Sequence, residues 1–132
     1  MNISIILNNI QDPRRNHLQK HSLESIIYIT LAAIIGGAES WNEIEEFGIA
    51  HIDFFKSRIK GLEEIPSHDT FNRVFSIINP KEFEAGFREW VQELYGKYKG
   101  VILKKAGTLK IRGFAALIAS FSAAFKSLSG KF

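Results

Sequence analysis

The chain has 132 residues, 45% of them hydrophobic, with eleven phenylalanines, two tryptophans and no cysteine. This length suits one domain with a sizeable core, and the apolar content excludes an intrinsically disordered chain. The lack of cysteine excludes a disulfide framework and fits a reducing cytoplasm. Residues 1–10 lack the features of a signal peptide, and the longest apolar run is about half of a membrane span. We therefore expect a cytoplasmic protein with no membrane segment.

The net charge of +3 hides an asymmetry along the chain. Residues 1–96 contain nine Lys and Arg against all fourteen acids, whereas residues 97–132 contain eight Lys and Arg and no acid. The two parts therefore carry −5 and +8. A basic tail on an acidic body indicates either a polyanionic partner or a point at which the native coding sequence stops.

The N-terminal segment, residues 2–10, is compatible with a short helix or an arm, and Asp12-Pro13 ends it. A basic cluster follows, formed by Arg14, Arg15, His17, Lys20 and His21. The cluster is either a solvated loop or a patch that contacts phosphate groups.

Three helices are predicted between residues 22 and 60. Ser22 is a suitable N-cap for a helix to about Ile35, which is apolar nearly all round and therefore belongs at the centre of the fold. Gly36-Gly37 ends this helix. The next begins with a capping box of Ser40 and Glu43 and carries the carboxylates Glu43, Glu45 and Glu46, to which we assign a structural role. The last has an apolar face of Ile52, Phe55 and Ile59 opposite Lys56, Arg58 and Lys60.

Residues 67–98 predict two helices joined by a tight turn. Ser67 caps the first, residues 68–78, and Asp69 suits its positive end. Asn79 and Pro80 begin the second, and Glu82 is expected to reach back as in a capping box. The apolar stripes of the two helices are Phe71, Val74, Phe75 and Ile78, then Phe83, Phe87, Trp90, Val91, Leu94, Tyr95 and Tyr98.

These patterns predict an all-α fold, a single small helical bundle of about five helices with a helix-turn-helix-like αα unit at 67–98. The expected core consists of Ile27, Leu31, Ile34, Trp41, Ile44, Phe55, Phe71, Val74, Phe75, Phe83, Phe87, Trp90, Val91 and Leu94. The apolar residues of the tail, from Phe114 to Leu128, also lie at helical spacing. They are expected to pack on the body or on a second copy, or alternatively to lie on a membrane surface.

The stretch around residue 70 resembles the N-terminal associated domain of a group of bacterial insertion-sequence transposases that includes the H-repeat-associated proteins. The resemblance covers roughly residues 5–102. The residues that carry it are Asp12-Pro13-Arg14, Gly36-Gly37-Ala38, Ser40-Trp41, Glu43-Ile44, Ile65-Pro66-Ser67-His68-Asp69-Thr70-Phe71, Arg73-Val74-Phe75, Asn79-Pro80, Phe83, Phe87 and Trp90-Val91.

The resemblance implies that a catalytic domain of the DDE type would follow, with three carboxylates that hold two divalent metals. Its first Asp would lie a few residues after Val101, but no Asp or Glu follows Glu93. We therefore expect a non-enzymatic fragment that needs no cofactor. Residues 1–102 would be the associated domain, and residues 103–132 a basic C-terminal tail that follows a truncation or a change of reading frame.

Two pairs of residues, His68 with Asp69 and His17 with His21, are candidate metal ligands. His68-Asp69 lacks a third ligand at helical spacing and fits a helix start better. His17 and His21 flank a loop and lack a third ligand as well. Neither pair is therefore predicted to bind a metal ion.

Two functions remain open. The first is a DNA-binding or accessory role in transposition, with helix 68–78 near DNA. The second is a helical oligomerisation or interaction module, whose partner would be a second copy or the intact transposase. The candidate DNA contacts are Arg14, Arg15, Lys56, Arg58, Asn72, Arg73, Lys104, Lys105, Lys110 and Arg112.

Overall fold

The computed structural model describes residues 2–14, 20–93 and 96. Within these residues the fold is all-helical, which confirms the predicted class, and no strand is present. Six helices form the described part: α1 Ser4–Asn9, α2 Leu23–Ile35, α3 Trp41–Ala50, α4 Ile52–Arg58, α5 His68–Ile77 and α6, residues 80–93. The αα unit corresponds to α5 and α6, which are joined by Ile78 and Asn79.

Serine side chains begin three of the helices, as the sequence predicts. The hydroxyl oxygens of Ser22, Ser40 and Ser67 accept hydrogen bonds from backbone N–H groups three residues further on, at 3.1, 3.1 and 3.3 Å. Each bond satisfies a donor that the first turn of a helix leaves without an intrahelical partner. At the other end of α2, Gly37 adopts a φ of 101°, a conformation that favours glycine.

The core surrounds α2, which is buried over most of its length. Phe71, Val74 and Phe75 of α5 and Phe83, Phe87, Trp90 and Val91 of α6 are all buried, as predicted. Ile34 and Trp41 are only partly buried at the edge of the core, and Leu94 lies outside the described residues.

The N-terminal segment adds a helix to the core. Ile3, Ile6 and Ile10 are buried, although the sequence left this segment open between a helix and an arm. Two hydrogen bonds show that α1 runs antiparallel to α6. Near the start of α1, the carbonyl of Asn2 accepts a hydrogen bond from Trp90 Nε1 at 2.9 Å. At the opposite end of the contact, the Gln11 N–H donates to Glu82 Oε1 at 3.1 Å.

The contact between Gln11 and Glu82 corrects one sequence-based expectation. The sequence predicts that Glu82 completes a capping box at the start of α6. Its carboxylate binds the N-terminal segment instead, and the side-chain oxygen of Asn79 alone accepts the N–H groups of Lys81 and Glu82, at 2.9 and 3.4 Å. Gln11 follows α1, and the packing of α1 on α6 brings its N–H within reach of Glu82.

None of the helices in the described part is long and apolar enough to cross a membrane. The predicted tail, residues 103–132, lies outside the described residues, as do Arg15 and His17.

Candidate nucleic-acid interface

A surface cleft of about 760 Å³ lies between the loop that precedes α2 and the exposed face of α5. Arg14, Lys20 and His21 contribute from the loop, and Arg73 contributes from α5. The other lining residues are Glu64, Ile65, Ser67, Thr70, Val74 and Ile77. The fold therefore brings together two of the predicted DNA contacts, Arg14 and Arg73, that are far apart in the chain.

Arg14 makes hydrogen bonds to Asp12 and to His21. Its Nε and one terminal nitrogen donate to the two carboxylate oxygens of Asp12, at 3.0 and 2.8 Å, and the other terminal nitrogen donates to the carbonyl of His21 at 2.7 Å. Only 13% of the side chain is exposed. The hydrogen bond from the Arg14 side chain holds the pKa of the Asp12 carboxyl below its ordinary value. Asp12 thus balances the charge of Arg14, whose role in the cleft is mainly structural.

Lys20 and Glu64, which both line the cleft, form an ion pair. Their hydrogen bond raises the pKa of Lys20 and lowers the pKa of Glu64. Both side chains are mostly exposed, at 75% and 55%. Solvent therefore screens the pair, which contributes little to stability. Another anion can replace Glu64 as the partner of Lys20.

Arg73 projects from α5 beside Thr70 and Ile77. Its side chain is exposed, and it makes no hydrogen bond or ion pair with any residue of the described part. Asn72 is also exposed but does not line the cleft. Arg73 is therefore the predicted contact that is best placed to bind an external anion.

A second depression of about 370 Å³ adjoins the first. Lys20, His21 and Glu64 line both depressions, whereas Arg73 lines only the first and Lys60 only the second. We call the two together the basic groove. Burial lowers the pKa of His21, so its imidazole is neutral at neutral pH and the positive charge of the groove comes from Lys and Arg.

The remaining predicted contacts lie elsewhere. Lys56 and Arg58 of α4 line neither depression, and the Arg58 guanidinium lies 5.4 Å from the centre of the Phe54 ring. Arg15 and the tail residues Lys104, Lys105, Lys110 and Arg112 are outside the described residues. Lys20 belongs to the basic cluster that the sequence offers as a phosphate-contacting patch, whereas Lys60 is not among the predicted contacts, because no local pattern shows that it shares a groove with Lys20.

The described residues include no group of three or more His, Asp or Glu side chains that could hold a metal ion. His68 serves the helix start, as predicted. Its backbone N–H and its Nδ1 both contact Glu45 Oε1, and its Nε2 lies 3.4 Å from Asp69.

The fold and the groove describe a small helical domain with a localised basic surface. The model of the family described as DDE_Tnp_1-associated matches residues 5–91. The chain belongs to this family, which provides the N-terminal associated domain of DDE transposases.

Curated relatives of the chain include proteins that are named as transposases. "H repeat-associated putative transposase YhhI" of Escherichia coli K12 is 36% identical over 121 residues, which cover 86% of this chain and 32% of the relative. "Putative protein YbfL" of the same strain is 37% identical with the same coverage. "Inactive transposase YbfQ" is 46% identical over 56 residues, which cover 42% of this chain and 67% of the relative. The chain thus spans about a third of the length of the first two, and no solved structure matches it.

Proposed function

We propose that this chain is a DNA-binding accessory domain in transposition and that it does not itself cut or join DNA. The role is transposase-related by family. The observation that carries DNA binding is the exposed Arg73, which shares one cleft with Arg14 and Lys20 although the body of the chain is acidic. Such a local cluster attracts phosphates while the rest of the surface repels them.

Contacts of this kind are mainly electrostatic. Lys and Arg side chains on phosphate oxygens position a protein on DNA but carry no sequence information. The exposed face of α5 offers few side chains for reading base edges beyond Asn72 and Arg73. Binding is therefore expected to be weakly selective for sequence and strongly dependent on salt.

We also propose that residues 1–102 form the associated domain and that residues 103–132 form a basic tail. Lys104, Lys105, Lys110 and Arg112 would add phosphate contacts there. The alignments with YbfL and YhhI cover 86% of the chain, a larger share than residues 1–102 make up, so the similarity continues into the tail. A coverage of 86% of 132 residues extends to about residue 113 at least, so a change of reading frame would lie beyond that point. Translation of the downstream genomic DNA in all three frames tests it.

The competing function is an interaction module without DNA binding. Its support is a set of exposed apolar side chains: Ile35, Ile49, Phe54 and Ile77, each about half exposed. Scattered apolar residues are common on monomeric proteins, so this observation is weaker than the basic groove. Its partner would be a second copy or the intact transposase.

Titration of the full chain against a short duplex, followed by fluorescence anisotropy at several salt concentrations, tests DNA binding. We expect the slope of log affinity against log salt to fall by about 0.9 for each phosphate contact removed. The variants are Arg73→Gln and a tail variant with Lys104, Lys105, Lys110 and Arg112 changed to Gln. The control is Lys81→Gln, an exposed cation of α6 that does not line the groove.

An unchanged slope in the tail variant would show that the tail is not a binding element. An absence of binding at low salt, together with a concentration-dependent increase in size by light scattering, would overturn the proposal in favour of the interaction module.

A further inference from the structure

We infer that the basic groove is the track of one DNA phosphodiester backbone, from Arg73 past Lys20 to Lys60, and that a phosphate replaces Glu64 as the partner of Lys20. The inference rests on the proposed DNA-binding function and adds the path of the strand, a further contact residue and an acid that opposes binding.

The path follows from the residues that the two depressions share. Lys20 and Glu64 line both, so they lie where the depressions meet, while Arg73 and Lys60 mark the outer parts. Lys60 is exposed and, like Arg73, has no hydrogen bond or ion pair with the described residues. The groove therefore presents Arg73, Lys20 and Lys60 along two adjoining depressions, where successive phosphates of one strand could contact them.

The charge of the groove differs in sign from that of the body. Lys20, Lys60 and Arg73 line it together with Arg14, whose charge Asp12 balances, against the carboxylates of Glu63 and Glu64. Residues 1–96 as a whole carry −5. The groove is thus a basic strip on an acidic surface, and repulsion elsewhere would confine a polyanion to this strip.

Glu64 opposes DNA binding at the centre of the groove. Glu64 neutralises Lys20 in the structure, but both side chains are exposed and the ion pair is therefore weak. A phosphate that enters the groove competes with Glu64 for Lys20 and is repelled by the carboxylate that it displaces. Removal of the Glu64 charge should therefore strengthen DNA binding, whereas a purely structural ion pair would predict no gain.

The test compares variants of the full chain in anisotropy titrations with the same short duplex. Glu64→Gln should lower Kd by up to about fivefold, the factor that corresponds to a surface ion pair. Lys60→Gln and Arg73→Gln should each weaken binding and reduce the salt slope by about 0.9. The matched controls are Glu46→Gln and Lys81→Gln, which make the same charge changes outside the groove. Circular dichroism verifies that each variant is folded.

The outcomes separate this inference from the function on which it rests. If the unaltered chain fails to bind DNA at low salt, the proposed function fails and the inference fails with it. If the chain binds but Glu64→Gln and Lys60→Gln match their controls, DNA binding stands and the groove is not its track. A gain for Glu64→Gln that exceeds the gain for Glu46→Gln, together with a loss for Lys60→Gln, supports the inference.

Discussion

Glu45 in the middle of α3 binds His68, the first residue of α5, through both backbone and side chain. Glu45 Oε1 accepts the His68 N–H at 2.6 Å and lies 3.1 Å from His68 Nδ1. The N–H groups in the first turn of a helix have no intrahelical acceptor, so a carboxylate from another helix stabilises this end of α5. The contact fixes α5, and with it Arg73, relative to α3.

Loss of this carboxylate should destabilise the fold. Glu45→Ala is expected to reduce the free energy of unfolding by about 1 kcal/mol, the usual effect of losing a helix N-cap. Glu45→Gln should cost less, because its amide oxygen still accepts the hydrogen bond. Urea denaturation measures both. Glu46→Ala is the control, since Glu46 is exposed and makes no hydrogen bond within the described part; an equal effect of the two alanine variants would contradict this account.

The same contact predicts a pH dependence. The His68 N–H lowers the pKa of Glu45 in the folded chain. A carboxyl whose pKa is lower in the folded state adds stability above its unfolded pKa, about 4.3 for glutamate, and that stability is lost as pH falls through the folded value. The stability difference between the unaltered chain and Glu45→Gln should therefore be constant near neutral pH and shrink in acid. A difference that grows on acidification would show that the carboxylate is not the stabilising form.

Phe54 and Phe55 provide a matched test of the core. Phe55 is fully buried, and its ring centre lies 6.0 Å from that of Tyr28 in an edge-on arrangement. By contrast, 47% of Phe54 is exposed. Phe55→Ala should cost about 3–5 kcal/mol, because it leaves a cavity in the core. Phe54→Ala should cost less than about 1 kcal/mol, including the loss of the Arg58 contact. Thermal and urea unfolding measure both costs. Similar costs would contradict the finding that α4 buries Phe55 and leaves Phe54 exposed.

Gly86 lies at the crossing of α1 and α6. An added Cβ would lie 3.1 Å from the Cα and the carbonyl oxygen of Ile6, which are backbone atoms that cannot turn aside. Gly96, also helical, has no neighbour among the described residues within 4 Å of such a Cβ. Gly96→Ala should therefore gain up to about 1 kcal/mol from helix propensity. Gly86→Ala should be less stable than Gly96→Ala by about 1–3 kcal/mol, and equal stabilities would argue that α1 does not dock there.

The purified chain is expected to show no strand cleavage. Two-metal phosphoryl transfer needs carboxylates that converge on ions about 4 Å apart. No acid follows Glu93 in the sequence, and the described acids form no metal-binding group. The assay is nicking of a plasmid that carries the terminal repeats of the parent element, with Mg²⁺ or Mn²⁺. Metal-dependent nicking that is abolished by changing one acid among residues 1–93 to Ala would contradict this prediction.

The sequence by itself determined the features that depend on neighbours in the chain. Helix starts at Ser22, Ser40 and Ser67 could be predicted because a cap and its N–H partner are three residues apart. The burial of the α5 and α6 stripes could be predicted because helical periodicity places these residues on one face. The family resemblance rested on the same local motifs.

Tertiary structure decided the features that join distant segments. A helix as short as α1 is not stable by propensity alone, so only its packing against α6 distinguishes it from an arm. The partners of Glu45 and Glu82 lie 23 and 71 residues away, and nothing in the local sequence selects them. The same holds for Arg73, Lys20 and Lys60, because the packing of α5 and the loops decides which exposed cations of a helical bundle lie along one groove.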